Sequence, residues 1–129
     1  MATKKLILVD TDVLVDYFRG HEKAVAFVKK FSAQIILSPI VIAELYAGVK
    51  GSEEQTILNN FISLFRVIPV TAQIAQTAGI FRRDFGKSHG VGLADAIIAA
   101  TVCAENATLK TLNVRHYPML DDVKAAYQK

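Results

Sequence analysis

Acidic side chains recur in this chain inside apolar runs or at their ends. Asp10 closes Leu6-Ile7-Leu8-Val9, and Asp12 follows two residues later. Glu44 sits in Ile40-Val41-Ile42-Ala43-Glu44-Leu45, and Asp95 interrupts Gly92-Leu93-Ala94-Asp95-Ala96-Ile97-Ile98-Ala99-Ala100. A carboxylate in such surroundings is costly to bury unless a positive partner offsets it. A hard divalent cation is an effective partner, because oxygen ligands from distant segments can converge on it. The pattern therefore points to Mg²⁺ or Mn²⁺ and to phosphate chemistry. Such an ion neutralises an anionic phosphodiester and lowers the pKa of water. Crowded acids without the ion repel one another, so raised pKa values are expected in the metal-free protein.

The elements that must position these acids follow from hydropathy and capping. Residues 6–9 are expected to form a buried strand, followed by a helix over Val13–Phe18 that Asp12 or Thr11 caps and that stops near Gly20. Glu22–Phe31 has an amphipathic helical pattern, with Val25, Phe27, Val28 and Phe31 set among lysines. Gln34–Leu37 forms a second buried strand, and Ser38-Pro39 opens the helix carrying Glu44. A further helix begins at Ser52-Glu53-Glu54-Gln55, a short strand spans Arg66–Val70, and a long helix runs from Thr71 to about Phe85. Gly86–Gly92 is expected to be a loop, Leu93–Asn106 an apolar helix, Thr108–Thr111 a strand, and Asn113–His116 a turn. Residues 121–129 are expected to be a polar extension with little to offer a core.

Strands alternate with helices, so the class is α/β with a mostly parallel sheet and helices on both faces. Ligands of such sheets bind beyond the carboxyl ends of the strands. Asp10 stands at such an end. Glu44 is about two turns into its helix, Asp95 is in the first turn of its own, and Asn113 directly follows the last clear strand. All four are expected at one rim. Each has an ordinary alternative: Asp10 and Asp95 can be helix caps, and Glu44 a solvated helical residue. Three such accidents at one rim are less common than any one of them.

Length and composition set bounds. The 129 residues fit one domain, expected over 1–129, and 52% apolar residues suffice for a core. A net charge of +3 permits a nucleic-acid partner without demanding one. The single Cys103 excludes an intramolecular disulfide and a Cys-rich zinc site, and its place on the apolar helix points to the core. The apolar run after Lys5 is too short for a signal peptide or a membrane span, so a cytoplasmic protein without membrane association is expected.

Four segments together carry a family resemblance: Leu8-Val9-Asp10-Thr11-Asp12-Val13-Leu14-Val15-Asp16, Ile42-Ala43-Glu44-Leu45-Tyr46-Ala47-Gly48, Leu93-Ala94-Asp95-Ala96-Ile97-Ile98-Ala99-Ala100-Thr101 and Thr111-Leu112-Asn113-Val114-Arg115-His116-Tyr117. In order and spacing they resemble the PIN domain, and more narrowly the VapC-type toxins of toxin–antitoxin pairs. The resemblance runs from about Lys5 to Tyr117. It implies a three-layer α/β/α sandwich and a metal-dependent endoribonuclease. Asp10 and Asp95 would be the principal ligands of Mg²⁺ or Mn²⁺, with Glu44 binding metal or positioning the attacking water. Thr11 and Thr111 would orient the site. The family commonly has a fourth acid in the last segment, where this chain has Asn113 and His116. Asn113 still offers a carbonyl oxygen, but the site has one charge fewer, which puts a second metal position in question. The resemblance also implies an RNA substrate, a cognate antitoxin and a homodimer. Val41, Leu45 and Tyr46 suit either protein contacts or core packing.

Lys29, Lys30, Arg82, Arg83, Lys87, His89 and Arg115 are candidates to meet RNA phosphates, although a solvated helix face is the commoner explanation of each. Two other functions fit parts of the pattern. Asp10-Thr11-Asp12 matches the opening of haloacid-dehalogenase-type phosphatases, with Asp10 as nucleophile and Asp12 as general acid. A PIN fold that binds RNA or protein without catalysis is the third reading.

Overall fold

A computed structural model describes residues 5–129 of the chain. Five strands form one sheet: β1 (Ile7–Val9), β2 (Ile35–Leu37), β3 (Arg66–Val67), β4 (Thr108–Thr111) and β5 (Lys124–Ala125). Their order is β3-β2-β1-β4-β5, and every pairing is parallel. β1 lies at the centre, where Ile7 pairs with Ile35 on one side and with Thr108 on the other. Parallel strands covered on both faces read as continuous apolar runs, and Leu8, Val9 and Leu37 are fully buried.

Among the described residues, six α-helices flank the sheet: α1 (Thr11–Phe18), α2 (Glu22–Phe31), α3 (Pro39–Ala47), α4 (Gly51–Ile62), α5 (Ala72–His89) and α6 (Leu93–Ala104). α2 occupies the span that its periodicity predicts. α3 starts as expected, with Ser38 Oγ accepting from the Ile40 N–H at 3.1 Å and Pro39 in the first turn. α5 and α6 form an antiparallel pair around Ile74, Ala78, Val91, Ala96 and Ala100. The alanines in this contact let the two helix backbones approach closely.

The chain leaves β1 for β2 on one side of the sheet, returns from β3 through α5 and α6, and enters β4 on the other side of β1. The strand order therefore reverses between β1 and β4. Such a switch point opens a crevice beyond the strand ends.

Several expectations need correction. The cap of α1 is Asp10, whose carboxylate accepts from the Thr11 N–H at 2.8 Å; the helix begins two residues earlier than expected. α5 does not stop near Phe85. It continues through Gly86 to His89 and ends at Gly90, which takes a left-handed conformation with φ +65°. β3 covers only Arg66–Val67. Cys103 is exposed, not buried, because the buried face of α6 is formed by Ile98, Ala99 and Val102. Val41 and Leu45 are buried in the core, leaving Tyr46 as the exposed member of that trio.

Residues 121–129 are not a polar extension. β5 pairs with β4, and Val123, Ala126 and Tyr127 pack against the main core. Buried Asp16 holds this segment. Its Oδ2 accepts from the Tyr127 hydroxyl at 2.8 Å and its Oδ1 from Lys129 Nζ at 3.2 Å, within an ion pair. The His21 ring stacks on Tyr127, and Lys23 Nζ donates to the Gln128 carbonyl. Two-residue strand pairing is too short for a periodic signal, which is why this edge is hard to read from sequence.

Burial pushes the Asp16 carboxyl pKa up, but the Tyr127 hydroxyl, the Lys129 ammonium and His21 outweigh it and set it below the ordinary 3.8. A depressed carboxylate pKa contributes stability above its unfolded value, and that contribution disappears as pH falls through the folded value. Asp16→Asn is expected to cost about 1–2 kcal/mol at pH 7. In thermal melts at a series of pH values, the gap between variant and wild type should narrow below 3.8. A gap that is constant with pH would contradict this account.

Candidate active site

The crevice between the ends of β1 and β4 is lined by carboxylates and the groups that hold them. Asp10 immediately follows β1 and is 7% exposed. Three donors converge on it. Oδ1 accepts from the Thr11 N–H, and Oδ2 accepts from the Thr111 and Tyr117 hydroxyls, each at 2.8 Å. Thr111 is the last residue of β4, so the β1–β4 pairing sets the distance between its hydroxyl and Asp10. The Asp10 N–H completes the tie by donating to the Lys110 carbonyl at 3.0 Å.

Asp95 enters from the first turn of α6, whose helix dipole favours an acid there. Its Oδ1 lies 3.3 Å from the Tyr117 hydroxyl, and its Oδ2 lies 3.4 Å from His116 Nδ1. Asp10 and Asp95, 85 positions apart in sequence, thus meet at one phenolic oxygen. Burial, and then repulsion from Asp10, push the Asp95 pKa up; His116 and the Tyr117 hydroxyl only partly oppose this. The Tyr117 pKa is driven far up by its own burial and by the two acids, so the phenol keeps its proton as a donor.

Glu44 stands apart from this pair. It is exposed on α3, and its Oε1 accepts from the Thr11 hydroxyl at 2.7 Å. Thr11 therefore links the two acids, its N–H on Asp10 and its hydroxyl on Glu44. Among the described residues, no three His, Cys, Asp or Glu side chains are grouped to hold an ion. An ion here would take Asp10 and Asp95 from the protein and complete its shell with water and substrate oxygens, a habit of Mg²⁺. The donors fit such an ion: hard oxygens, one on a carboxyl whose pKa is raised by burial and then by its neighbour, with no thiolate or imidazole pair that would select zinc.

Asp12 and Asn113 serve the frame of the site. Asp12 Oδ2 accepts from the Leu112 N–H and from Asn113 Nδ2, both at 3.0 Å. Its other oxygen is buried without a hydrogen-bond partner. Burial, then Asp10, raise the Asp12 pKa. Asn113 meets Asp12 through its amide nitrogen, and its own N–H donates to Thr111 Oγ1 at 3.0 Å. These bonds clamp the exit of β4 onto the first turn of α1. They also leave Asp12 facing the protein, which does not suit the outward general acid that the phosphatase reading requires.

The structure thus brings Asp10 and Asp95 together, sets Glu44 one hydroxyl away, and gives Asn113 to Asp12. Tyr117 was missed as a functional residue. Its signal was faint: an aromatic next to a His, four residues beyond Asn113.

A PIN domain family model matches residues 7–118. A protein of Mycobacterium tuberculosis named ribonuclease VapC10 is 35% identical over 125 residues, covering 95% of this chain and 93% of that protein. Ribonuclease VapC19 of the same organism is 37% identical over 124 residues, covering 93% and 98%. Among solved structures, a toxin–antitoxin complex from Klebsiella pneumoniae contains a chain that superposes with a TM-score of 0.83 at 26% identity, covering 95% of this chain and 99% of that one.

A carboxyl whose pKa is raised on folding opposes folding when ionised. Asp95→Asn is therefore expected to stabilise the metal-free protein at pH 7, by a margin that solvent screening keeps small. The gain should fade as pH falls below the folded pKa of Asp95. Chemical denaturation in chelator at neutral and acid pH checks this, and a destabilised variant at neutral pH would contradict the proposed repulsion.

Proposed function

The chain belongs to the PIN-domain family, and from that premise we propose that it is a divalent-metal-dependent endoribonuclease, the toxin of a VapBC-type toxin–antitoxin pair. The observation that carries the reading is the meeting of Asp10 and Asp95 at the Tyr117 hydroxyl, at the switch point of a parallel sheet. The naming of two relatives as ribonucleases, each more than one-third identical, supports the substrate class.

Asp10 and Asp95 would hold Mg²⁺ or Mn²⁺. When bound, the ion supplies charge neutralisation at the scissile phosphate and acidifies water. The chain's own residues do the rest. Thr11, Thr111 and Tyr117 fix the orientation of Asp10. His116 steadies Asp95 from the solvent side. Glu44, held by Thr11 at the exposed rim, would bind the ion or position the attacking water. Asn113 keeps the β4 exit in place through Asp12. Exposed Arg82, Lys87, His89 and Arg115 can meet the flanking phosphates of a single strand.

The partners follow the same reading: RNA as substrate, a cognate antitoxin as inhibitor, and a second copy in a homodimer. The chain acts as one domain over residues 1–129, in the cytoplasm. Among the described residues, no helix is long and apolar enough to cross a membrane.

Asp10→Asn and Asp95→Asn are each expected to lower Mn²⁺-dependent RNA cleavage by at least ~100-fold, while circular dichroism and melting stay cooperative. Chelation should abolish wild-type cleavage and added Mn²⁺ restore it. Full activity in either variant, or in chelator, would overturn the assignment.

A further inference from the structure

Tyr117 heads the fully buried side chains by volume, yet its hydroxyl lies among carboxylates. An ionised carboxylate offers about four lone-pair sites. On Asp10, Oδ2 already accepts from Thr111 and Tyr117 at 2.8 Å each, while Oδ1 accepts from the Thr11 N–H alone. Each hydroxyl has one proton, held nearer Asp10 and shared at longer range with a second acid. Thr111 Oγ1 is 3.3 Å from Asp12, and the Tyr117 oxygen is 3.3 Å from Asp95.

The turn that presents Tyr117 adds no acid. Asn113 donates to Asp12, and His116 stands 3.4 Å from Asp95 Oδ2. A two-ion site requires oxygens placed about both ions, with a shared carboxylate as the usual bridge. Asp10 has one oxygen available for that purpose, and on the 113–117 side the acids face donors.

We propose that Tyr117 is a positioning residue: with Thr111 it saturates Oδ2 of Asp10 and ties that carboxylate to Asp95, so that the pair accepts one divalent cation and not two. The proposal rests on the metal-dependent reading above and deepens it. The phenol acts as a neutral tie between two acids when the cation is absent. A bound cation takes over that task, which makes the tie most valuable to the metal-free protein.

The test uses the full chain, MnCl₂ as the probe, and two variants, Tyr117→Phe and Thr111→Val. Calorimetric titration of the wild type should give one Mn²⁺ per chain; two would overturn the proposal. Tyr117→Phe should melt earlier than wild type in chelator and recover much of the difference in saturating Mn²⁺. Its Mn²⁺ affinity should then be several-fold tighter, since a ligand that favours the folded state raises the melting temperature in proportion to its binding. A loss that is equal with and without Mn²⁺ would mark an ordinary core hydrogen bond and overturn the tie. If Tyr117→Phe does not fold, Thr111→Val tests the saturation of Oδ2 alone, since Thr111 does not reach Asp95, and the wild-type count of one Mn²⁺ against two decides the proposal.

RNA cleavage is measured in parallel. One ion per chain without cleavage would sink the nuclease reading and leave this inference standing, and cleavage with two ions would do the reverse. A wild type that takes up no Mn²⁺ would overturn both.

Discussion

The hydrogen bonds that close on Asp10 are the constraint on which the rest of the site depends. A buried carboxylate with no partner would destabilise the fold severely. Here a backbone N–H and two hydroxyls share the task, and they come from the start of α1, the end of β4 and the turn beyond it. Satisfying one anion thus fixes the relative positions of three segments. The β1–β4 pairing gives Thr111 its distance, and Tyr117 carries the contact on to Asp95.

The site is nonetheless held at some cost to stability. Asp12 and Asp95 both have raised pKa values, because burial and the neighbouring Asp10 oppose their charges. Acids gathered in this way suit a cation better than they suit the bare protein. The opposite design operates at Asp16, where a buried acid is fully partnered and has a lowered pKa. The first are acids crowded around Asp10 and the second is a structural anchor, although Asp12 and Asp16 lie on the same helix. Their difference lies in the donors around them, which neither residue type nor local spacing records.

Much of the frame was legible. The span of α2, the capped start of α3, the extent of β4 and the order of strands and helices follow from hydropathy period, Ser38-Pro39 and β-branched runs. The juxtaposition of Asp10 and Asp95 was also legible, because parallel-sheet topology sends strand ends and helix starts to one rim. Other features were obscured by competing signals. Gly86 and Gly92 suggested a loop, but α5 continues through Gly86 and stops only at Gly90, whose left-handed backbone ends it. The charged residues of 121–129 suggested a tail, but Tyr127 and Lys129 answer an acid that lies 111 and 113 positions away.

The amino-acid sequence by itself determined the α/β class, the placement of acids beside apolar runs and their meeting at one rim, because periodicity and capping are local and the topology of parallel sheets is restrictive. Only the tertiary structure decided which acid meets which donor. It set Glu44 one hydroxyl from Asp10, turned Asn113 toward Asp12, and placed the Tyr117 phenol between the two central carboxylates. Those assignments depend on side-chain directions and on contacts 22 to 107 residues apart, and no short-range pattern encodes them.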